Sequence, residues 1–145
     1  LFIDIHSFPG AGAAGGLGAA FSGFLQGQLQ SGIDLILDTI GMNEQLEGVD
    51  FVITGEGKMD GQTAMGKAPL GVAKMAQQKN IPVIALAGAT TGDTSALNNL
   101  GITSFFSIIN EPMTLEEAMD PNQTFNHLRL TSSQIFRLIK AVREY

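Results

Sequence analysis

Apolar residues follow two rhythms along the chain. From Ala14, the positions Ala14, Leu17, Phe21, Phe24, Leu25 and Leu29 recur at three- and four-residue steps. That spacing predicts a helix with one buried face, ended by Gly32. Ile33, Ile36, Leu37 and Ile40 keep the same spacing, so 33–40 reads as a short helix, with Gly41 at the position a left-handed cap prefers. From Val49 the rhythm changes. "VDFVIT" (49–54) is a short β-branched and aromatic run bounded by glycines, which predicts a buried strand. "PVIALAG" (82–88) has no polar residue until its end, the mark of a strand covered on both faces. "ITSFFSII" (102–109) reads as a third strand, and Leu1–Ile5 as a short additional one.

Helical signals separate these strands. A helix is expected from about Pro69 to Lys79, with proline suited to the first turn. Asp93 is placed to cap a short helix running through Asn98. Thr114 and Glu117 have the spacing of a capping box. A long last helix carries Leu128, Ile135, Leu138, Ile139 and Val142 on one face. Strand and helix thus alternate from Val49 onward, predicting an α/β fold with a doubly wound, three-layer, Rossmann- or flavodoxin-like parallel sheet. Ligands of such sheets sit beyond the carboxyl ends of the strands. The loops after Thr54 and Leu86 are therefore where a site is expected, and "GEGKMDGQTAMGK" after Thr54 is the most polar, glycine-dense stretch of the chain.

Composition narrows the function classes. The 145 residues fall within the size of one domain, with no internal repeat or linker. Net charge is −6 and the eight Lys and Arg form no run, which argues against nucleic acid as a partner. The absence of cysteine excludes disulfides and thiolate-held metals and fits a reducing compartment. No apolar run approaches the roughly 18 residues of a membrane span. A cytoplasmic protein without membrane contact is expected. The chain opens at Leu1, directly in a strand-like run, so it reads as a piece of a longer protein.

Two glycine patterns suggest phosphate binding, and neither is complete. Gly10, Gly12 and Gly15 form G-x-G-x-x-G between a strand-like run and a helix, the setting of a dinucleotide fingerprint. The acidic residue about 20 positions on should end a second strand, yet Asp34 opens a helix-like segment. Close packing, or anion binding at the helix start, are the competing readings. Gly61, Gly66 and Lys67 satisfy G-x-x-x-x-G-K, but Ala68 replaces the hydroxyl residue that would reach Mg²⁺.

The second loop is richer in chemistry than either pattern. Glu56, Lys58, Asp60 and Lys67 lie within twelve residues of one another, with Gln62 and Thr63 between them. Phosphoryl transfer needs cations to neutralise charge, carboxylates to hold a metal, and a group to take the attacking hydroxyl's proton. All are present, and the alternative is a solvated charged loop. Elsewhere, His6 at a strand end reads as structural and His127 as a surface residue. Asp34 and Asp38 read as a solvated helix face, and Phe105 and Phe106 as core.

Taken together, "PGAGAAGGLGAAF", "SGIDLILDTIG", "DFVITGEGKMDGQTAMGKAPLGVAK" and "PVIALAG" resemble the C-terminal portion of the bacterial glycerate kinases. The resemblance runs from about Pro9 to the last helix, and Lys58 stands where Arg is common. It implies ATP-dependent phosphorylation of D-glycerate with Mg²⁺, within a protein more than twice this size folded as two α/β domains. On this reading residues 1–45 hold the Gly-rich loop and helices adjoining the second domain, and 46–145 form a Rossmann-like βαβαβα segment.

The expected roles follow from residue type and position. Asp60 accepts a proton from, or orients, the glycerate hydroxyl. Lys67 neutralises phosphoryl charge or binds the carboxylate. Glu56 is a Mg²⁺ ligand, with Asp60 as the second candidate, and these two roles are open to exchange. Gly12, Gly15 and Gly16 offer amides to an anion. Gly55, Gly57, Lys58, Gln62, Thr63 and Gly66 complete the expected substrate- and phosphate-binding set. The alternative classes are a non-catalytic anion- or nucleotide-binding or assembly module, and a nicotinamide-dependent oxidoreductase. Apolar surface left by an absent N-terminal portion would be covered by that portion or by a second copy in a homodimer.

Overall fold

A computed structural model describes residues 9–60, 67–91 and 96–144. The Leu1–Ile5 strand, His6, Gln62, Thr63, Gly66 and the Asp93 cap lie outside the described residues. The chain divides into two compact units, residues 1–36 and 37–145.

In the first unit the glycine loop ends in a 3-10 turn, Ala13–Gly16, and α1 spans Leu17–Leu25. The helix is shorter than its apolar periodicity predicts, because Gln26 turns left-handed (φ 54°) and closes it six residues before Gly32. Gly32 opens α2 (Gly32–Thr39), which spans the division between the units. The apolar stripe of α1 is also not a buried face. Phe24 is 81% exposed and Leu17, Phe21 and Leu25 are at least half exposed, leaving Gly18 as the one buried residue of the helix. Periodicity marks which residues share a face, not whether anything covers it.

The second unit carries the sheet. β1 (Val52–Met59), β2 (Val83–Thr90) and β3 (Ser104–Ser107) lie parallel in the order β1-β2-β3. α3 (Met42–Gln45) precedes β1, and Gly41 before it has the expected left-handed backbone, φ 65°. α4 (Ala68–Gln78) connects β1 to β2, α5 (Ala96–Asn99) lies between β2 and β3, and α6 (Leu115–Ala118) and α7 (Pro121–Arg143) follow. Odd-numbered β2 residues Val83, Ala85 and Ala87 pack with Val52, Ala73 and Ala76 of α4, Leu97 of α5, and Ile102. Even-numbered Ile84 and Leu86 pack instead with Ile108 and Ile135 of α7. Alternation along an all-apolar strand thus feeds two cores, and helices cover both faces of the sheet. The result is the expected three-layer α/β architecture.

Small residues set the spacing. Ala85 and Ala87 face Ala73 and Ala76, all essentially fully buried, so α4 lies close against the sheet. Ile102 is fully buried in the same core. Ile102→Val is expected to cost about 0.5–1.5 kcal/mol, read as a shift in the urea midpoint at unchanged m-value. On α7, Ile135 is buried and Ile139 partly so, whereas Leu138 and Val142 are exposed. The last helix therefore buries a narrower stripe than its apolar pattern predicts.

The capping box forms as expected. The Thr114 N–H donates to Glu117 Oε2 at 2.7 Å, and the Glu117 N–H donates to Thr114 Oγ1 at 3.3 Å. The Thr114 N–H, and after it the Thr114 hydroxyl, which donates to the same Oε2 at 2.9 Å, hold the Glu117 carboxyl below its ordinary 4.5. A carboxyl depressed in the folded state stabilises α6 above its unfolded pKa and loses that contribution as pH falls through the folded value. The Thr114 amide proton shift should therefore titrate with an apparent pKa below 4.5; titration at or above that value contradicts the capping geometry.

Candidate functional site

Strand β1 does not stop at Thr54. Its pairing with β2 continues through Gly55↔Leu86, Glu56↔Ala87 and Lys58↔Ala89 to Met59↔Thr90. Gly55, Glu56, Gly57 and Lys58 are strand residues rather than loop residues, and only Asp60 lies past the end. Glycine makes the extension sterically feasible. A Cβ at Gly55 would stand 2.6 Å from the Leu86 carbonyl oxygen, and one at Gly88 would stand 2.6 Å from that of Gly57. The site thus sits on a rigid element at the carboxyl end of the sheet, where ligands of parallel sheets bind.

Three of the expected residues come together there. Lys58 Nζ lies 3.5 Å from Asp60 Oδ2, and Lys67 Nζ lies 3.9 Å from Asp60 Oδ1. The Asp60 side chain is 22% exposed, while both lysines are about half exposed. Ion pairs this open to solvent stabilise a fold by about 0–1 kcal/mol, so stability does not account for gathering them. The three residues carry a net charge of +1. Lys67 is also the N-cap residue of α4, whose first turn holds no acidic side chain. The N-terminus of a helix is itself partly positive and normally favours an acid nearby. Lysine there adds positive potential to positive potential, an arrangement suited to an anionic ligand.

Glu56 belongs to β1 itself. It lies four residues before Asp60, roughly 13 Å along an extended strand, and strand alternation puts it with Thr54 and Lys58 on one face. Among the described residues, no three His, Asp or Glu side chains come together as a metal site. Mg²⁺ takes one or two carboxylates and completes its octahedral shell with phosphate oxygens and water. Glu56 and Asp60 are each carboxylates of the kind that can anchor such an ion.

On the α7 side of the sheet, a cavity of about 920 Å³ opens over β1 and β2. It is walled by the start of α7, including Phe125, His127 and Leu128, and by Met113 and Met119 on either side of α6. His127 is half-buried rather than a plain surface residue, with its Nδ1 3.4 Å from Asn110 Nδ2. These wall residues were not legible in the sequence, because nothing in their pattern ties them to a strand some sixty positions earlier.

The glycine loop of the first unit has its own geometry. Ala14, Gly15 and Gly16 are successively left-handed, at φ 51°, 71° and 100°. Among the described residues, no atom lies within 4 Å of a Cβ built on Gly12, Gly15 or Gly16, whereas one on Gly18 would stand 2.3 Å from the Gly10 carbonyl oxygen, so close packing explains Gly18. Left-handed backbone explains Gly15 and Gly16. Asp34 sits in the first turn of α2 rather than at a strand end, so the dinucleotide fingerprint is incomplete in the structure as in the sequence.

A three-layer parallel sheet with a net-cationic cluster at its carboxyl edge defines an α/β protein with a candidate site where such sheets bind ligands. Residues 1–140 match the glycerate kinase family, and the chain belongs to that family. It is 44% identical to a glycerate kinase of Bacillus cereus over 99% of this chain and 37% of that protein. It is 42% identical to the glycerate 2-kinase of Escherichia coli over 81% of this chain and 31% of that protein. The crystal structure of a glycerate kinase 2 from Salmonella typhimurium LT2 superposes with a TM-score of 0.71 at 38% identity, covering 99% of this chain and 36% of that one. The chain spans about a third of the length of the relatives it matches. Family membership does not favour the nicotinamide oxidoreductase reading. Among the described residues, no helix is long and apolar enough to cross a membrane.

Proposed function

We propose that this chain supplies part of the active site of a cytoplasmic enzyme that phosphorylates D-glycerate from ATP, giving a phosphoglycerate and ADP. The observation that carries the reading is Asp60 held between Lys58 and Lys67 at the carboxyl end of β1. In the proposed reaction a glycerate hydroxyl oxygen attacks the γ-phosphorus, and the bond from that phosphorus to the β-bridging oxygen breaks. Asp60 orients the hydroxyl and takes its proton. Lys67, with the partly positive start of α4, neutralises charge on the transferred group or on the glycerate carboxylate. Lys58 pairs with the Asp60 carboxylate and holds it in place. Mg²⁺, anchored by Asp60 or by Glu56 through water, would neutralise phosphate charge. On the first unit, the amides around Gly12, Gly15 and Gly16 are proposed to hold an anionic group.

A coupled assay with ATP and D-glycerate tests the reading, run on the chain alone and within a polypeptide of the relatives' full length. Turnover that needs both substrates, in the longer polypeptide at least, is the expected result. No turnover in either form, with anion binding retained, would establish the alternative of a binding or assembly module.

A further inference from the structure

α7 and the segment before it carry charge of opposite sign. Pro121–Arg143 holds Arg129, Arg137, Lys140 and Arg143, half of the chain's eight Lys and Arg, and no Asp or Glu. Residues 110–120, which include α6, hold Glu111, Glu116, Glu117 and Asp120 and no Lys or Arg. Helix ends account for part of this pattern. Asp120 caps α7, Glu117 closes the capping box of α6, and Lys140 and Arg143 lie in the last turn of α7, where the helix dipole favours cations. Arg129, Arg137, Glu111 and Glu116 have no such reason, because the dipole fades within one turn of a helix end. All four are exposed, and among the described residues none of them forms an ion pair. Arg137 and Lys140 also stand three residues apart on one helix face, where like charges repel.

The cations occupy the outward side of α7. Ile135 is buried, and Arg137 lies two residues on, about 200° round the helix. Leu130, seven residues before Arg137, shares that side, and Phe125, four before Arg129, borders it; both are exposed. A segment acidic at one end and basic at the other is self-complementary when a second copy lies antiparallel against it, the condition for an isologous two-fold contact. The midpoint between Glu116 and Arg137 falls between Phe125 and Leu130. The exposed apolar side chains then meet at the axis with charged groups around them, the layout of a protein interface. A partner of one sign answers only half of this pattern, since an anionic surface attracts α7 and repels residues 110–120.

We infer that α6 and α7 form a contact between two copies of this chain, antiparallel about a two-fold axis between Phe125 and Leu130, with Arg129 and Arg137 of each copy facing Glu111 and Glu116 of the other. Sedimentation equilibrium of a polypeptide of the relatives' full length tests it, with the chain alone run alongside. The expected result is twice the monomer mass at about 100 μM, with a dissociation constant that rises at least about tenfold between low and high salt as exposed charges are screened. Arg129→Glu with Arg137→Glu, and separately Glu111→Lys with Glu116→Lys, should each leave a monomer. An equimolar mixture of the two variants should recover the doubled mass, because each then offers the charge that the other needs. Recovery in the mixture also shows that neither variant lost pairing through misfolding. A monomer at every concentration, a dimer indifferent to both variants, or a mixture that stays monomeric overturns the inference. So does a chain that pairs alone but not within the longer polypeptide, which would assign this face to the rest of that polypeptide.

Discussion

Asp60→Asn, made in a polypeptide of the relatives' full length, is expected to lower kcat by about 10²–10⁴-fold, the range contributed by a positioned general base. The change keeps the side chain's shape and removes its charge, leaving Lys58 and Lys67, now 3.5 and 3.9 Å from an acceptor, without a counter-ion. The cluster's net charge rises from +1 to +2, so anionic substrates should bind as well as before or better. KM should hold or fall while kcat collapses. Stability should change little, because ion pairs this exposed contribute about 0–1 kcal/mol. Near-native kcat would remove Asp60 from the proton-transfer role. Collapse of kcat together with a large rise in KM would make it a substrate-binding residue instead.

How far the sequence leads to this site depends on which physical effect governs each element. Short runs rich in β-branched and aromatic residues identified β1 and β3, and β2 was the clearest, because a strand buried on both faces has no polar positions to spare and residues 83–87 feed two cores in alternation. Strand ends were less legible. Gly55 to Lys58 have the composition of a loop, and only pairing with Leu86 to Ala89 makes them strand. That correction moves Gly55 to Lys58 from a loop onto the sheet. The association of Lys58, Asp60 and Lys67 was legible because strand end and helix start are close in sequence. The cavity was not, since a third of its lining residues come from α6 and α7. Helix faces mislead in another way: α1 and α7 carry apolar stripes wider than the surface this chain buries.

Lys67→Met separates a functional lysine from a structural one by the sign of two effects. Methionine keeps most of the aliphatic stem and removes the ammonium. If Lys67 neutralises charge that develops in the transition state, kcat/KM in the full-length polypeptide should fall about 10²–10³-fold, the loss seen when one such stabilising group is removed. Its effect on stability should run the other way. A cation at the N-cap of α4, with no acidic residue in the first turn, opposes the helix dipole by about 0.3–1 kcal/mol. Its pairing with Asp60 at 3.9 Å, half exposed, returns no more than that. The melting temperature of Lys67→Met should therefore hold or rise while activity falls. A lysine kept for folding would show the opposite, a lowered melting temperature with activity preserved in the folded fraction. Lys58→Met serves as the comparison. Lys58 lies at the end of β1 rather than at a helix start, so removing its charge should reduce activity less and bring no gain in stability.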